Sequence, residues 1–276
     1  MTHMEKFYDT NRRRWNELVD IHMKTSKYDV KSFKDGNCSL KKPELEALPD
    51  VRGKTLLHLQ CHFGLDTLSW ARRGAEVTGV DFSDTAILRA KGLAEELDIP
   101  ATFVCSNIYD LFERLLGSFD IVFTSYGVLN WLHDLPLWAE IIEHYLKPGG
   151  VFFITEFHPF AWVFDDGNLS ELKVKYNYWS SRTPEYYTPV GSYADRNAVV
   201  ENRGSYEWAH PISEVLNSLV DAGLNILETR EYPYSVDPLF PFMNKDSESY
   251  FRFHNKEYSI PLMFSVKAEK PPKHTS

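Results

Sequence analysis

The acid at position 81 and the turn that precedes it carry the most specific chemistry of this sequence. Asp81 ends a short apolar run and lies 17 residues after Gly64, near the spacing of about 20 residues at which a dinucleotide-binding unit places its ribose-binding acid. A carboxylate accepts hydrogen bonds from both hydroxyls of an unphosphorylated ribose and repels a 2′-phosphate. The spacing therefore predicts a nucleoside-bearing ligand and disfavours NADP.

The turn itself contains little glycine. It reads Gln60-Cys61-His62-Phe63-Gly64, with glycine only at the last position. A diphosphate needs close approach to backbone N–H groups, which a G-x-G-x-x-G turn allows. The bulky side chains argue against NAD or FAD. They are compatible with a ligand that has a zwitterionic amino-acid end, which side chains and a few N–H groups can meet at a greater distance.

These residues are positioned by a predicted β-α-β unit. Residues 55–59 form an apolar run interrupted by His58, residues 65–73 have helical spacing, and residues 76–80 form a second apolar run that leads into Asp81. In such a unit, unpaired N–H groups at the helix N-terminus and the acid of the second strand lie at the same edge of the sheet.

Five stretches extend this pattern: LLHLQCHFGLDTL, VTGVDFS, FVCSNIYDL, FDIVFTSYGVLNWL and LKPGGVFFITE. Their order and spacing resemble the successive motifs of class I S-adenosylmethionine (SAM)-dependent methyltransferases. The resemblance covers about residues 51–156 and extends weakly to the C-terminus. The first motif departs from the family, which usually has an acid at the place of His58 and glycines at the places of Gln60 and His62.

The resemblance implies an α/β fold, Rossmann-like and doubly wound, with a mostly parallel seven-stranded sheet, an N-terminal helical lid and an inserted cap after the fifth strand. It also implies SAM as the cofactor and S-adenosylhomocysteine as its product. The expected segments are a lid (1–48), a SAM-binding core (49–157), an aromatic-rich cap (158–209), a C-terminal helix and strands (210–270) and a disordered tail (271–276).

The resemblance assigns the cofactor to residues that follow the core strands. Asn107 and Ile108 match the position that meets adenine, where an amide oxygen accepts from the exocyclic amine and an N–H donates to a ring nitrogen; asparagine is also common in such turns for local backbone reasons. Ser125 and Tyr126 are expected beside the methionine portion. The full set of expected cofactor-binding residues is Gln60, Cys61, His62, Phe63, Gly64, Asp81, Phe82, Asn107, Ile108, Ser125 and Tyr126.

Methyl transfer from a sulfonium needs alignment and water exclusion more than residue chemistry, and a general base helps when the acceptor is a hydroxyl or a protonated amine. His158, just past the fifth predicted strand, is the first candidate base, followed by Glu156, His133 and His210. Each histidine has the alternative of being a structural or surface residue. No H-E-x-x-H or Cys/His cluster suggests a metal site.

Aromatic residues crowd the N-terminal segment and the stretch between His158 and Trp208. In the family this sequence resembles, an N-terminal helical segment often closes over the cofactor, and an insertion after the fifth strand is expected to form the substrate pocket. The alternative is that these aromatics pack on the core or in a dimer contact. The candidate substrate-binding residues are Tyr8, Trp15, His22, Tyr28, Tyr126, Trp162, Tyr178 and Trp179.

Charge and composition narrow the partners. The chain has 276 residues, 43% of them hydrophobic, and a formal charge of −9, with a pI near 5.6. It therefore lacks the basic surface that nucleic acids or anionic membranes attract, and a small-molecule substrate is expected for a monomer or homodimer. Cys38, Cys61 and Cys105 lack C-x-x-C spacing, and no apolar run reaches the length of a membrane span. A cytoplasmic protein with reduced thiols is the expectation.

Two other functions share parts of the pattern. A protein that binds SAM or another nucleoside without catalysis is suggested by the unusual turn at positions 60–64. An NAD-dependent oxidoreductase shares the β-α-β unit and Asp81, but the missing glycines count against it. Binding of SAM, S-adenosylhomocysteine and NAD, and turnover with an acceptor pool, distinguish the three.

Overall fold

The computed structural model describes residues 3–179, 183–253 and 258–272. Residues 273–276 of the predicted disordered tail therefore lie outside the described ranges. The described strands, in chain order, are β1 (Thr55–Leu59), β2 (Glu76–Asp81), β3 (Thr102–Cys105), β4 (Phe119–Ser125), β5 (Leu146–Phe157), β6 (Glu185–Tyr187), β7 (Ser205–Glu207), β8 (Asn225–Tyr232), β9 (Met243–Lys245), β10 (Phe251–Phe253) and β11 (Met263–Glu269).

The helices follow the same order along the chain. They are α1 (His3–His22), α2 (Val30–Lys34), α3 (Lys42–Ala47), α4 (Leu65–Arg72), α5 (Asp84–Glu96), α6 (Leu135–Tyr145) and α7 (Ile212–Asp221), with short 3₁₀ turns at Ile108–Glu113, Leu129–Trp131 and Ala161–Val163. Ser83 caps α5, because its hydroxyl accepts from the N–H of Ala86 at 3.0 Å.

Seven strands form one sheet in the order β3-β2-β1-β4-β5-β11-β8. The pairs from β3 to β5 are parallel, and β11 pairs antiparallel with both β5 and β8. The prediction of a mostly parallel, seven-stranded, Rossmann-like sheet is therefore confirmed. The strand order reverses between β1 and β4, and ligands of open α/β sheets bind at the carboxyl ends of the strands beside such a point.

Both faces of the sheet are covered, as parallel strands require. Leu57 and Leu59 of β1 point to a core shared with α6 and α7. Leu56 points to the opposite core, which contains Trp70 of α4. Since neighbouring side chains of a strand alternate between faces, the near-continuous apolar run of β1 fills two cores at once.

The N-terminal helix α1 and the segment 158–209, called the insertion below, lie together over the carboxyl edge. Asn11 of α1 bonds both the N–H and the carbonyl of Tyr206, each at 2.8 Å. The buried guanidinium of Arg14 donates to the carbonyls of Arg203 and Gly191. Among its described residues, the insertion contains the 3₁₀ turn at Ala161–Val163 and the short strand pair of β6 with β7. Within the described ranges, no helix is both long and apolar enough to cross a membrane.

Candidate active site

The turn after β1, residues 60–64, is held in a backbone conformation that normally favours glycine. Gln60 and His62 have φ of 56° and 50°, and Gly64 has φ of 85°. A Cβ at Gly64 would lie 2.9 Å from the ring of Phe103, so this glycine also permits close packing of α4 on β3. A left-handed backbone conformation costs energy at residues other than glycine, such as Gln60 and His62. Residues 60–64 are called the β1 turn below.

Asp81, at the end of β2, is tied to this turn. Its carboxylate accepts the N–H of His62 at 2.8 Å and the N–H of Ser83 at 2.9 Å. Burial raises the pKa of Asp81 to about 6, against the lowering effect of these N–H donors. Two donors leave acceptor capacity on the carboxylate, because its two oxygens offer about four lone-pair sites.

A cavity opens beside Asp81 at the carboxyl edge of β1, β2 and β3. It holds about 470 Å³ of empty space, part of it open to solvent. Five of the expected cofactor-binding residues line it: Gln60, Asp81, Phe82, Asn107 and Ile108. The remaining lining residues are Tyr8, Asn11, Leu59, Val80, Ser106, Tyr109, Trp131 and Leu132.

The sequence did not single out Asn11, Tyr109 or Trp131 of this lining. Asn11 lies three residues after Tyr8, so both occupy the same face of α1. This helical spacing from Tyr8 was the available signal for Asn11. Trp131 is in the motif FDIVFTSYGVLNWL, whose last residues were not assigned a role.

The other expected residues of the β1 turn lie beneath the cavity. Cys61 and Phe63 are buried in a cluster with α4 and α5. A Cβ at Gly79 would lie 2.9 Å from Cys61 Sγ, so this thiol packs against β2. The side chains of Cys61 and Phe63 thus support the turn, which meets the cavity through Gln60.

The end of the cavity near β3 contains a chain of polar contacts. Asn107 Oδ1 accepts the N–H of Tyr109 at 3.2 Å and caps the following 3₁₀ turn. The Tyr8 hydroxyl lies 2.6 Å from His133 Nδ1 and beside the Asn107 side chain. Burial, first among the causes, raises the pKa of Tyr8 and lowers that of His133, so both are neutral at pH 7. Tyr8 therefore links α1 to the turn after β3.

A second contact joins α1, the β1 turn and the insertion. His62 Nδ1 accepts the N–H of Phe63 at 2.8 Å, so the proton of a neutral His62 lies on Nε2 and is donated to His22 Nδ1 at 2.9 Å. His22 Nε2 then donates to Ser192 Oγ at 2.7 Å. Burial lowers the pKa of His22 to about 2 and that of His62 to about 3, as this arrangement of neutral rings requires.

Aromatic rings surround this histidine pair. Trp15 meets the rings of His62 and Trp131 edge to face at 5.3 Å. Tyr28 stacks on His22 at 5.1 Å, and its hydroxyl bonds that of Tyr193. Three of the expected substrate residues, Trp15, His22 and Tyr28, are thus brought together over the β1 turn.

Ser125 and Tyr126, at the end of β4, face away from the cavity. The Ser125 hydroxyl donates to Asp66 at 3.2 Å. The Tyr126 hydroxyl is buried beside Glu44 and Thr155, and burial raises the pKa of Glu44 to about 7. Their side chains lie on the α3 and α4 side of the sheet.

Glu156, expected as a candidate base, has a different environment. Its buried carboxylate accepts the N–H groups of Gly127, Val128, Leu129 and Phe157 at 2.5 to 3.2 Å. Burial raises its pKa, while the four donors act in the opposite direction. The carboxylate thus holds the start of residues 126–131, called the β4 loop below.

The three candidate histidines also have protein partners. His158 Nδ1 accepts the N–H of Phe160, and its Nε2 lies 2.9 Å from Glu231. His210 Nε2 donates to the carbonyl of Leu132 at 2.7 Å. His133 is the partner of Tyr8. His133 and His210 each bond to a residue that lines the cavity, Tyr8 and Leu132 respectively.

The remaining expected substrate residues lie in the insertion, outside the cavity lining. Trp162 meets Phe157 edge to face at 5.7 Å. The Tyr178 hydroxyl accepts the N–H of Ile212, and Trp179, 72% exposed, packs on Tyr178. Within the described ranges, no group of three or more His, Cys, Asp and Glu side chains is arranged to hold a metal ion.

Comparisons with known proteins point to one family. Residues 57–154 match the family model described as a methyltransferase domain. Phosphoethanolamine N-methyltransferase 1 of Triticum aestivum is 28% identical over 190 residues, which are 67% of this chain and 36% of that protein. A ubiquinone biosynthesis O-methyltransferase of Chromobacterium violaceum is 33% identical over 106 residues, 38% of this chain and 45% of that one. The chain thus spans less than half the length of these two curated relatives.

Solved structures agree on the fold. A putative SAM-dependent methyltransferase from Listeria monocytogenes superposes with a TM-score of 0.57 at 21% identity, covering 83% of this chain and 95% of that chain. A SAM-dependent methyltransferase from Mesorhizobium loti gives a TM-score of 0.57 at 20% identity, covering 86% and 99%. Such identities show a shared fold. Residues 57–154 therefore match a methyltransferase domain, and the chain has the fold of the SAM-dependent methyltransferases.

Proposed function

We propose that this protein transfers a methyl group from SAM to a small-molecule acceptor. The observation that carries the proposal is the cavity at the carboxyl edge of β1, β2 and β3. The lining of the cavity includes the carboxylate of Asp81 at the end of β2. It also includes Asn107 and Ile108, which follow β3. A ribose with two free hydroxyls suits the first, and an adenine ring suits the second.

The residues around the β1 turn suit the amino-acid end of the same cofactor. Gln60 Oε1 is buried and has no hydrogen-bond partner among the described residues, and the same holds for Trp15 Nε1. An orphaned acceptor and an orphaned donor in a buried site cost free energy unless a ligand or water pairs with them. An ammonium group would satisfy Gln60 Oε1, and a carboxylate would satisfy Trp15 Nε1.

The bound cofactor supplies an activated methyl group on a sulfonium, and the chain supplies alignment and a dry site. Asp81 holds the ribose, while Tyr8 and Asn11 of α1 cover the cavity. Trp131, which lines the cavity, and Trp15, which packs on it, present aromatic rings to a cation, an attraction of about 0.5–2 kcal/mol per ring. No obligatory base follows from this scheme.

The acceptor would enter between α1 and the insertion. Tyr28 and Tyr193 lie at this junction, next to the histidine pair. The curated relatives support a small-molecule acceptor, with one named for N-methylation and the other for O-methylation. The three cysteines are free thiols, Cys38, Cys61 and Cys105, which supports a cytoplasmic protein, and we propose a monomer or homodimer without a nucleic-acid or membrane partner.

The β1 turn counts against an NAD-dependent oxidoreductase. A pyrophosphate would need the backbone of residues 60–63, but these positions carry large side chains, and the His62 ring is enclosed by Trp15 and His22. The protein partners of the four candidate bases favour, as a second candidate, a protein that binds SAM without turnover.

Isothermal titration with SAM, S-adenosylhomocysteine and NAD tests the proposal. Micromolar binding of the first two, about −8 kcal/mol, without binding of NAD is the expected result. Binding of NAD alone would contradict it. Incubation with SAM and a pool of small hydroxyl and amine acceptors then separates the two candidates, since only an enzyme accumulates S-adenosylhomocysteine above the rate without acceptors.

A further inference from the structure

The β4 loop has a fixed polarity, and Glu156 sets it. Three successive N–H groups, those of Gly127, Val128 and Leu129, point to one buried carboxylate. In a trans peptide the carbonyl of a residue points opposite to the N–H of the next. Because the N–H of Leu129 points to Glu156, the carbonyl of Val128 points away from Glu156. Likewise, because the N–H of Val128 points to Glu156, the carbonyl of Gly127 points away from it.

Both outward carbonyls meet donors that line or cover the cavity. The Gly127 carbonyl accepts Trp131 Nε1–H at 2.7 Å. The Val128 carbonyl accepts Gln60 Nε2–H at 3.0 Å. The carboxylate at the end of β5 is thus connected, through two peptide groups, to two side chains of the cavity lining.

The contact with Val128 decides which way the Gln60 amide is turned. A carbonyl only accepts hydrogen bonds, so the NH₂ group of Gln60 must face Val128 and Oε1 must face elsewhere. Oε1 is buried and has no protein partner among the described residues. We propose that Glu156 is a positioning residue that, through the β4 loop, turns Gln60 Oε1 outward as the acceptor for the ammonium group of the bound cofactor.

This inference rests on the proposed function and extends it. In this proposal the β4 loop makes the β1 turn selective for a ligand with an ammonium group. Glu156 then acts by positioning this loop and does not act as a base. A merely structural Glu156 would affect all ligands of the cavity alike. A positioning Glu156 affects only ligands that carry the amino group.

The experiment compares three ligands by isothermal titration: S-adenosylhomocysteine, its analogue without the α-amino group, and 5′-methylthioadenosine, which lacks the whole amino-acid end. In the unaltered protein the missing amino group should weaken binding roughly 10- to 100-fold, as expected for a hydrogen bond to a charged group. In Glu156→Gln an NH₂ group faces the N–H donors, so the loop shifts and this ratio should fall below about 3. Affinity for 5′-methylthioadenosine should stay within about twofold.

Four further variants complete the design. Gln60→Leu should lower the affinity ratio between S-adenosylhomocysteine and its analogue without the amino group to the same extent as Glu156→Gln. The double variant with both substitutions should lower this ratio no further, because Glu156 acts through Gln60. Asp120→Asn is the matched control: this carboxylate also accepts a backbone N–H, that of Thr55, but at the opposite end of β4. It should leave the ratio unchanged. Glu156→Asp, which keeps the charge and withdraws the carboxylate by one methylene, replaces Glu156→Gln if the latter does not fold.

The outcomes are separable. An unchanged ratio in the Glu156 variants, or an equal loss for all three ligands, overturns the positioning role. Failure of the unaltered protein to bind S-adenosylhomocysteine and 5′-methylthioadenosine overturns the proposed function itself.

Discussion

Two buried acids, Asp81 at the end of β2 and Glu156 at the end of β5, differ in how far the protein satisfies them. Asp81 accepts two backbone N–H groups and lines the cavity. Glu156 accepts four and lies behind the β4 loop. A carboxylate with spare acceptor capacity can receive ligand hydroxyls, whereas one surrounded by N–H donors holds its own backbone. The two sites therefore predict opposite responses to the same substitution.

Glu156→Ala should have the largest effect, and on stability. It leaves up to four backbone N–H groups without their acceptor, and each unsatisfied buried donor costs about 1–3 kcal/mol, partly offset because a buried charge is also removed and water can enter. We expect the free energy of unfolding to fall by about 3–5 kcal/mol. Urea denaturation followed by fluorescence measures it. A loss below about 1 kcal/mol would show that the four contacts are not maintained in solution.

Asp81→Ala should do the reverse, with a large effect on binding and a small one on stability. Two hydrogen bonds from ribose to a carboxylate are lost, which should weaken SAM binding by about 2–3 kcal/mol, roughly 30- to 150-fold. Because burial raises the Asp81 pKa, its charge opposes folding at neutral pH, and removing it offsets the two lost N–H partners.

Isothermal titration and urea denaturation of the same Asp81→Ala preparation test this contrast. The unfolding free energy should change by no more than about 1 kcal/mol. Unchanged SAM affinity would exclude Asp81 as the ribose acceptor, and a stability loss as large as that of Glu156→Ala would remove the distinction between the two acids.

The same comparison predicts a pH dependence for Asp81. Its pKa in the folded protein is raised to about 6, and the ionised form is the better acceptor for ribose hydroxyls. SAM affinity should therefore be constant above pH 7 and fall as pH drops through 6, by roughly tenfold at pH 5. Asp81→Asn should abolish this dependence. Glu44, with a pKa raised to about 7, also titrates in this range, so a slope that persists in Asp81→Asn would point to Glu44 instead.

The sequence predicted the sheet and part of the cavity for identifiable reasons. Apolar runs that fill two cores define β1, β4 and β5, and the strand–helix spacing locates Asp81 and Asn107 at one edge. The sequence predicts Glu156 as a candidate base, because the pattern of an acid at the end of a strand is the same whether its carboxylate faces a ligand or four backbone N–H groups. Only the path of the β4 loop, which depends on left-handed Tyr126 and Gly127, distinguishes them.

The contacts across segments could not be predicted for a related reason. His22, His62 and Ser192 are up to 170 residues apart in the chain, and nothing in their local patterns indicates that they meet. His22 and Tyr28 were expected near the pocket only from their aromatic character in a lid segment. The tautomers of the histidine pair follow from one backbone N–H, that of Phe63, which is visible only in the folded turn.

Trp15 offers the smallest effect and a test that separates the stability of the free protein from its affinity for SAM. Its Nε1 is buried without a hydrogen-bond partner among the described residues, so the free protein bears the cost of an unsatisfied donor. Trp15→Phe keeps an aromatic ring against His62 and Trp131 and removes that donor. The free energy of unfolding of the unliganded variant should change by no more than about 1 kcal/mol, because removal of the unsatisfied donor offsets the packing lost with the smaller ring.

Binding of SAM to Trp15→Phe should weaken by about 0.5–1.5 kcal/mol, roughly 2- to 12-fold, because one donor to the cofactor carboxylate is lost. Affinity for 5′-methylthioadenosine, which has no carboxylate, is the internal control and should not change. Equal weakening of both ligands would mean that Trp15 acts through packing alone. Weaker binding of SAM alone would show that Trp15 Nε1–H binds the cofactor carboxylate. This donor and the Asp81 carboxylate would then both be polar groups that the fold leaves without a full set of protein partners so that the ligand can bind to them.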